Sequence, residues 1–207
     1  MLDQVPHWDE LTAGVVLARL HLGTSCSFFS DEEQPIAEAL FDQLLYQFDP
    51  PKVPVLVLVD QRLALGHTDG WHHEDLPDDA RAWRLTLRAL DEDARTTYDA
   101  AFPQLTHQQQ GKLLQGIRES DRWMDLPAEH VWNLWIRYAT TAFYSHPWAW
   151  NEIGFGGPSY PRGYGALGNG QREHWEVADH EDVDPASFDD RIKRAKSAHT
   201  AQGDLSS

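Results

Sequence analysis

The chain has 207 residues, 41% of them apolar, with 33 acidic against 17 basic side chains and a formal net charge of -16. That is enough apolar material for one sizeable core, and the negative field argues against nucleic acid or an anionic membrane surface as a partner. Cys26 is the only cysteine, which excludes an internal disulfide, a cysteine-rich zinc site and a self-contained iron–sulfur cluster.

Residues 1–27 read as a lead segment. Asp3, Asp9 and Glu10 stand where an export leader carries basic residues, and the apolar stretch Leu11 to Leu22 is interrupted by Arg19 and His21. No signal is legible, which points to the cytoplasm and leaves export together with a partner open. Ser30-Asp31-Glu32-Glu33 is a capping box, followed at helical spacing by Ile36, Leu40, Leu44, Leu45 and Phe48. Pro35 suits the first helical position, so the helix is expected to start at Gln34 and to run to Asp49-Pro50-Pro51.

Val55-Leu56-Val57-Leu58-Val59 has the β-branching of a strand, yet Asp60-Gln61-Arg62-Leu63-Ala64 continues it as a helix. No second strand run exists to pair with it, so Pro54 to Leu65 is read as a buried helix. The apolar run 53–59 is too short to span a bilayer, and no direct membrane insertion is expected. Leu76-Pro77-Asp78-Asp79 opens the next helix, with Trp83, Leu87, Leu90, Ala94 and Tyr98 on one stripe. Thr106-His107-Gln108-Gln109 caps a shorter one carrying Leu113, Leu114 and Ile117. Pro127-Ala128-Glu129 starts the most apolar helix, with Val131, Leu134, Trp135, Tyr138, Ala142 and Phe143 on one face and Pro147 as its stop.

From Phe143 to Gly165 the chain is dense in rings and backbone breakers. Gly154, Gly156, Gly157, Gly163 and Gly165 permit positive φ, while Pro147, Pro158 and Pro161 fix φ and remove donors. The expectation is a loop on a set path with no regular structure. Trp148, Trp150, Phe155, Tyr160 and Tyr164 give it more apolar area than a solvated loop needs. Beyond it, Glu173 to Asp190 carries eight carboxylates and no lysine or arginine. Residues 179–207 are expected to be an acidic, mobile tail, with a short helix around Phe188 to Ala195. The fold class that follows is all-α: a multi-helix domain, a long Gly/Pro/aromatic loop after its last core helix, and a flexible C-terminal tail.

His146-Pro147, Gly154-Phe155-Gly156-Gly157-Pro158 and Tyr160-Pro161-Arg162-Gly163, in this order after the helices, resemble the gluconate 2-dehydrogenase subunit 3 family. The resemblance covers roughly residues 28–178, with Phe28-Phe29-Ser30-Asp31-Glu32-Glu33 and Leu126-Pro127-Ala128-Glu129 as weaker familial segments. It implies a small all-helical subunit beside a large flavoprotein of the glucose-methanol-choline type, with FAD and the catalytic base on that partner and no cofactor on this chain. Two departures matter. Pro147 leads into Trp148-Ala149-Trp150-Asn151 rather than a glycine-rich turn, so gluconate is not carried over as substrate, and the twin-arginine signal of many relatives is missing. No catalytic residue transfers from the resemblance.

The histidines His67, His72 and His73, close to Asp69, Glu74 and Asp75, are ligand types for zinc or iron, but their spacing fits no standard metal pattern. A self-sufficient histidine metalloenzyme is therefore the alternative, and a solitary binding or regulatory module of the same fold is a third reading. His146 could be a general base, though a histidine ending a helix more often meets the last carbonyls. Ser25-Cys26-Ser27 is no nucleophile elbow, and Gly154-Phe155-Gly156-Gly157 lacks the strand and helix of a dinucleotide fingerprint. The candidate contact residues for the large subunit are His146, Trp148, Trp150, Asn151, Glu152, Phe155, Tyr160, Arg162 and Tyr164, because interfaces favour tryptophan, tyrosine and arginine and these come from a loop rather than a helix stripe.

Overall fold

The computed structural model describes residues 2–160, together with 163 and 193. Among them the regular structure is almost wholly helical: α1 (Glu10–Ala18), α2 (Glu33–Leu45), α3 (Val55–Ala64), α4 (Asp79–Tyr98), α5 (His107–Glu119), α6 (Ala128–Ser145) and α7 (Pro147–Glu152), with 3₁₀ turns at Leu2–His7 and Phe102–Gln104. The chain is all-α. No helix among the described residues is long and apolar enough to cross a membrane. The expected acidic tail, including the short helix near Phe188, lies outside the described residues. The chain forms two compact units, Met1–Leu22 with Tyr144–Ser207, and Gly23–Phe143.

The Gly23–Phe143 unit has a tryptophan at its centre. Trp83, on α4, is fully buried, with Phe29 (6.0 Å) and Tyr138 (5.7 Å) edge-on to it and Phe41 tilted at 5.5 Å. Leu40, Leu87, Leu90, Phe102, Val131 and Trp135 complete the interior, and the Trp135 indole donates to Thr86 Oγ1 at 3.0 Å. α3 is a helix, and Val55, Val57, Val59 and Leu63 are all buried on it. A helix apolar on most of its surface is stable only when enclosed, which is why β-branching did not decide its conformation. Asp60 on the same helix is also fully buried, and its carboxylate accepts from the backbone N–H groups of Ser27 (2.7 Å), Phe28 (2.9 Å) and Phe29 (2.8 Å).

Two expected limits of α2 change, and a short hairpin is added. Ser30 and Glu33 make the reciprocal pair of a capping box (3.2 and 3.0 Å), but regular helix begins at Glu33, so Pro35 is its third residue, where the absent N–H has no intrahelical partner to lose. The helix stops at Leu45 because Tyr46 turns left-handed (φ 56°), which takes Phe48 off the stripe to stack on His107 at 4.1 Å. A two-stranded antiparallel hairpin, β1 (Arg122–Trp123) and β2 (Leu126–Pro127), precedes α6. Its turn residues Met124 and Asp125 both have positive φ without being glycine, so no turn signal marked it.

A candidate docking surface after the last long helix

The segment from His146 is not irregular throughout, as its breakers suggested. Residues Pro147–Glu152 form α7, a helix of six residues. Pro147 occupies the first helical position, where its fixed φ and missing donor suit a helix start. His146 is the N-cap: its Nδ1 accepts from the Trp148 amide at 3.3 Å, and its side chain is buried. Burial pushes its pKa down to about 4, and a hydrogen bond with the Arg19 backbone only partly opposes this. The ring is therefore neutral with Nδ1 as acceptor, so the histidine holds a helix start rather than a helix end.

The glycine-rich motif that follows is the other end of the same helix. Gly154 is left-handed (φ 68°) and donates to the Asn151 carbonyl (3.3 Å), while Phe155 donates to the Trp150 carbonyl (2.8 Å). This is a Schellman cap, and its usual hydrophobic contact is present as Phe155 edge-on to Trp150, centroids 5.3 Å apart. Gly157 then passes close to Trp8 with φ 84°, and a β-carbon there would overlap the indole. Gly154-Phe155-Gly156-Gly157 thus closes a helix and seats the chain on a tryptophan.

Packing divides the predicted contact residues. Trp150 is only 6% exposed and lies in a small core with Leu2, Val5, Trp8, Ala13, Val16 and Leu17, so it does not present its ring to a partner. Its indole donates to the Tyr144 carbonyl at 2.7 Å, and the Arg19 guanidinium sits 5.9 Å from its ring while donating to the Ser145 carbonyl at 3.0 Å. Trp148 is half-buried against the same cluster, His146 is buried and Asn151 half-buried. Glu152, Phe155 (38%) and Tyr160 (64%) are exposed, and so is Ile153, which sequence reasoning passed over because it is a single aliphatic among rings. Arg162 and Tyr164 lie outside the described residues. The apolar side chains left facing outward are Ile153 and Phe155, on backbone fixed by the helix cap, and Tyr160 five residues further on.

The other candidate residues lie in the Gly23–Phe143 unit. His67 and His72 are exposed, and His73 stacks on His130 with centroids 3.7 Å apart and rings 6° from parallel. Burial, then His130 and Arg137, hold His73 below its ordinary pKa. Among the described residues no group of three or more histidine, cysteine or acidic side chains could hold a metal. Burial and the Asp60 carboxylate push the Cys26 thiol up, away from the reactive thiolate. A cavity of ≈ 360 Å³ beside Trp71 includes Arg137, but that guanidinium is committed to Asp69 (3.2 Å) and Asp79 (3.2 Å). Tyr138 donates to Asp79 at 2.6 Å, and burial and this bond raise its pKa, so it offers no base.

A family model described as gluconate 2-dehydrogenase subunit 3 matches residues 31–157, more than half of the chain, from just before α2 to the glycine against Trp8. No curated protein and no solved structure gave a significant match.

Proposed function

Because the chain belongs to the gluconate 2-dehydrogenase subunit 3 family, we propose that it is the non-catalytic small subunit of a flavin-dependent sugar, sugar-acid or glycoside dehydrogenase of the glucose-methanol-choline type, binding and stabilising the large subunit. FAD bound to that partner supplies the hydride-accepting chemistry. The observation that carries the reading is the outward pair Ile153 and Phe155, held on capped backbone beside the buried Trp150, with Tyr160 exposed further along. Apolar side chains preorganised in this way lose little entropy on docking. His146 as a neutral cap and Cys26 with a raised thiol pKa support a chain without a reacting group of its own. We take the assembly to be cytoplasmic.

Expressed alone, the chain should be colourless and inactive on sugars. Co-expressed with a large flavoprotein subunit of the glucose-methanol-choline type from the same genome, it should co-purify with a flavin spectrum. Flavin bound by this chain alone, or a flavoprotein that is equally stable and active without it, would sink the proposal.

A further inference from the structure

Helix α1 is apolar on both sides. Ala13, Val16 and Leu17 face the small core that holds Trp150, whereas Leu11 is 77% exposed, Val15 is 50% exposed and Ala18 is exposed. Positions 11, 15 and 18 fall on one stripe at helical spacing, opposite the buried one. Gly14 lies on that stripe too, with open space where a β-carbon would stand, so a partner can approach the helix backbone between Leu11 and Val15. A helix with one charged residue in nine and apolar residues on both faces belongs to an interior, yet among the described residues only one of its faces is enclosed.

The surroundings select what covers it. Asp9 and Glu10 stand at the N-terminal end of the stripe, and Arg19, just past its other end, is occupied by the Ser145 carbonyl and the Trp150 ring. The net charge of -16 opposes pairing of two copies and opposes an anionic bilayer. An apolar patch with an acidic edge calls for an apolar patch with a basic edge. Resting on the subunit reading above, we infer that the Leu11/Gly14/Val15/Ala18 stripe of α1 is covered in the assembled dehydrogenase by the catalytic subunit, through an apolar patch rimmed by lysine or arginine. The helix is then enclosed on both faces, one by its own unit and one by the partner. This contact lies outside residues 31–157 of the family match.

The test is the double variant Leu11→Glu/Val15→Glu in the whole 207-residue chain, co-expressed with a large flavoprotein subunit from the same genome. Both side chains are exposed, so helicity and melting of the isolated variant should match wild type. Association should weaken by about a hundredfold or more, the sum of two lost apolar contacts and two added like charges. The neutral single variant Leu11→Gln should weaken it by about tenfold, and raised salt should slow association of the wild type. The inference is overturned if wild type binds and the double variant binds equally well. It is also overturned if wild type alone is a dimer that the double variant converts to a monomer, since a second copy then covers the stripe. If wild type binds no flavoprotein, the subunit reading itself fails and takes this contact with it.

Discussion

Gly157 lies against the indole of Trp8 with no room for a β-carbon between them: an added methyl would overlap Cζ2 and stand 3.0 Å from Cη2. Its φ of 84° adds a second restriction, because L side chains rarely adopt that region. The contact joins the end of the glycine motif to the segment before α1, both within the unit whose described residues include a buried apolar cluster of seven. Gly157→Ala should therefore destabilise the isolated subunit by roughly 2–4 kcal/mol, combining backbone strain with a clash against a buried ring. In a Trp8→Leu background the steric part disappears, and the same substitution should cost only about 1–2 kcal/mol. Urea denaturation of the four proteins measures both terms. Equal losses in the two backgrounds would show that the ring is not what excludes the side chain.

His146 makes stability depend on pH. Its pKa falls from 6.5 in the unfolded chain to about 4 in the folded one, so the unfolded state binds more protons between those values. The contribution of the neutral ring is complete above about pH 6.5 and is lost progressively as the pH drops toward about 4, with an upper limit of about 3 kcal/mol. His146→Asn supplies an N-cap acceptor that does not titrate. Its denaturation midpoint should fall less than that of wild type between neutral pH and about pH 4.5. An unchanged slope would assign the pH dependence to other groups.

Asp60 is the acceptor for three consecutive backbone amides, Ser27, Phe28 and Phe29. Asp60→Ala leaves these donors without their acceptor next to a buried phenylalanine, and should cost about 3–5 kcal/mol. Asp60→Asn keeps one oxygen and should fall between alanine and wild type. Hydrogen exchange at residues 27–29 should accelerate in both. The carboxylate also holds the Cys26 thiol up, so Asp60→Asn should lower the pH at which that thiol reacts with a disulfide reagent. A slower reaction would contradict this.

Helix identity was legible wherever caps and stripes agreed. Asp78 accepts from the Arg81 amide and Thr106 with Gln109 forms a full capping box, at the positions the spacing indicated. α3 was recoverable by length and the lack of a partner strand, although its β-branched run pointed the other way. α7 was not legible, because six residues give too little periodicity and a proline after a long helix reads as a stop. The same proline is equally a first helical residue, and only the acceptor at His146 Nδ1 decides between the two. Once α7 is present, Gly154 and Phe155 become its C-cap, whereas residues 155–159 lack regular structure as the breakers suggested. The sequence also could not tell an outward ring from an inward one in a segment without a stripe. That distinction needed the N-terminal 3₁₀ turn and α1, which bring Val5, Trp8 and Val16 onto Trp150.

Trp150 and Tyr160 should separate stability from association. Trp150 is buried, donates a hydrogen bond and supports Phe155, so Trp150→Ala should destabilise the isolated subunit by about 3–5 kcal/mol and lower its melting temperature. Tyr160 and Ile153 are exposed beyond the helix, and Tyr160→Ala or Ile153→Ala should leave melting within about 0.5 kcal/mol of wild type. If these side chains meet the large subunit, an aromatic or aliphatic anchor there is worth about 2 kcal/mol, and each substitution should weaken co-purification about thirtyfold. Trp150→Ala, measured where the protein remains folded, should weaken association less than Tyr160→Ala does. The reverse order, with Tyr160→Ala neutral for binding and Trp150→Ala damaging it in a folded subunit, would mean that docking requires the first unit to open, and the outward surface assigned here would then be the wrong one.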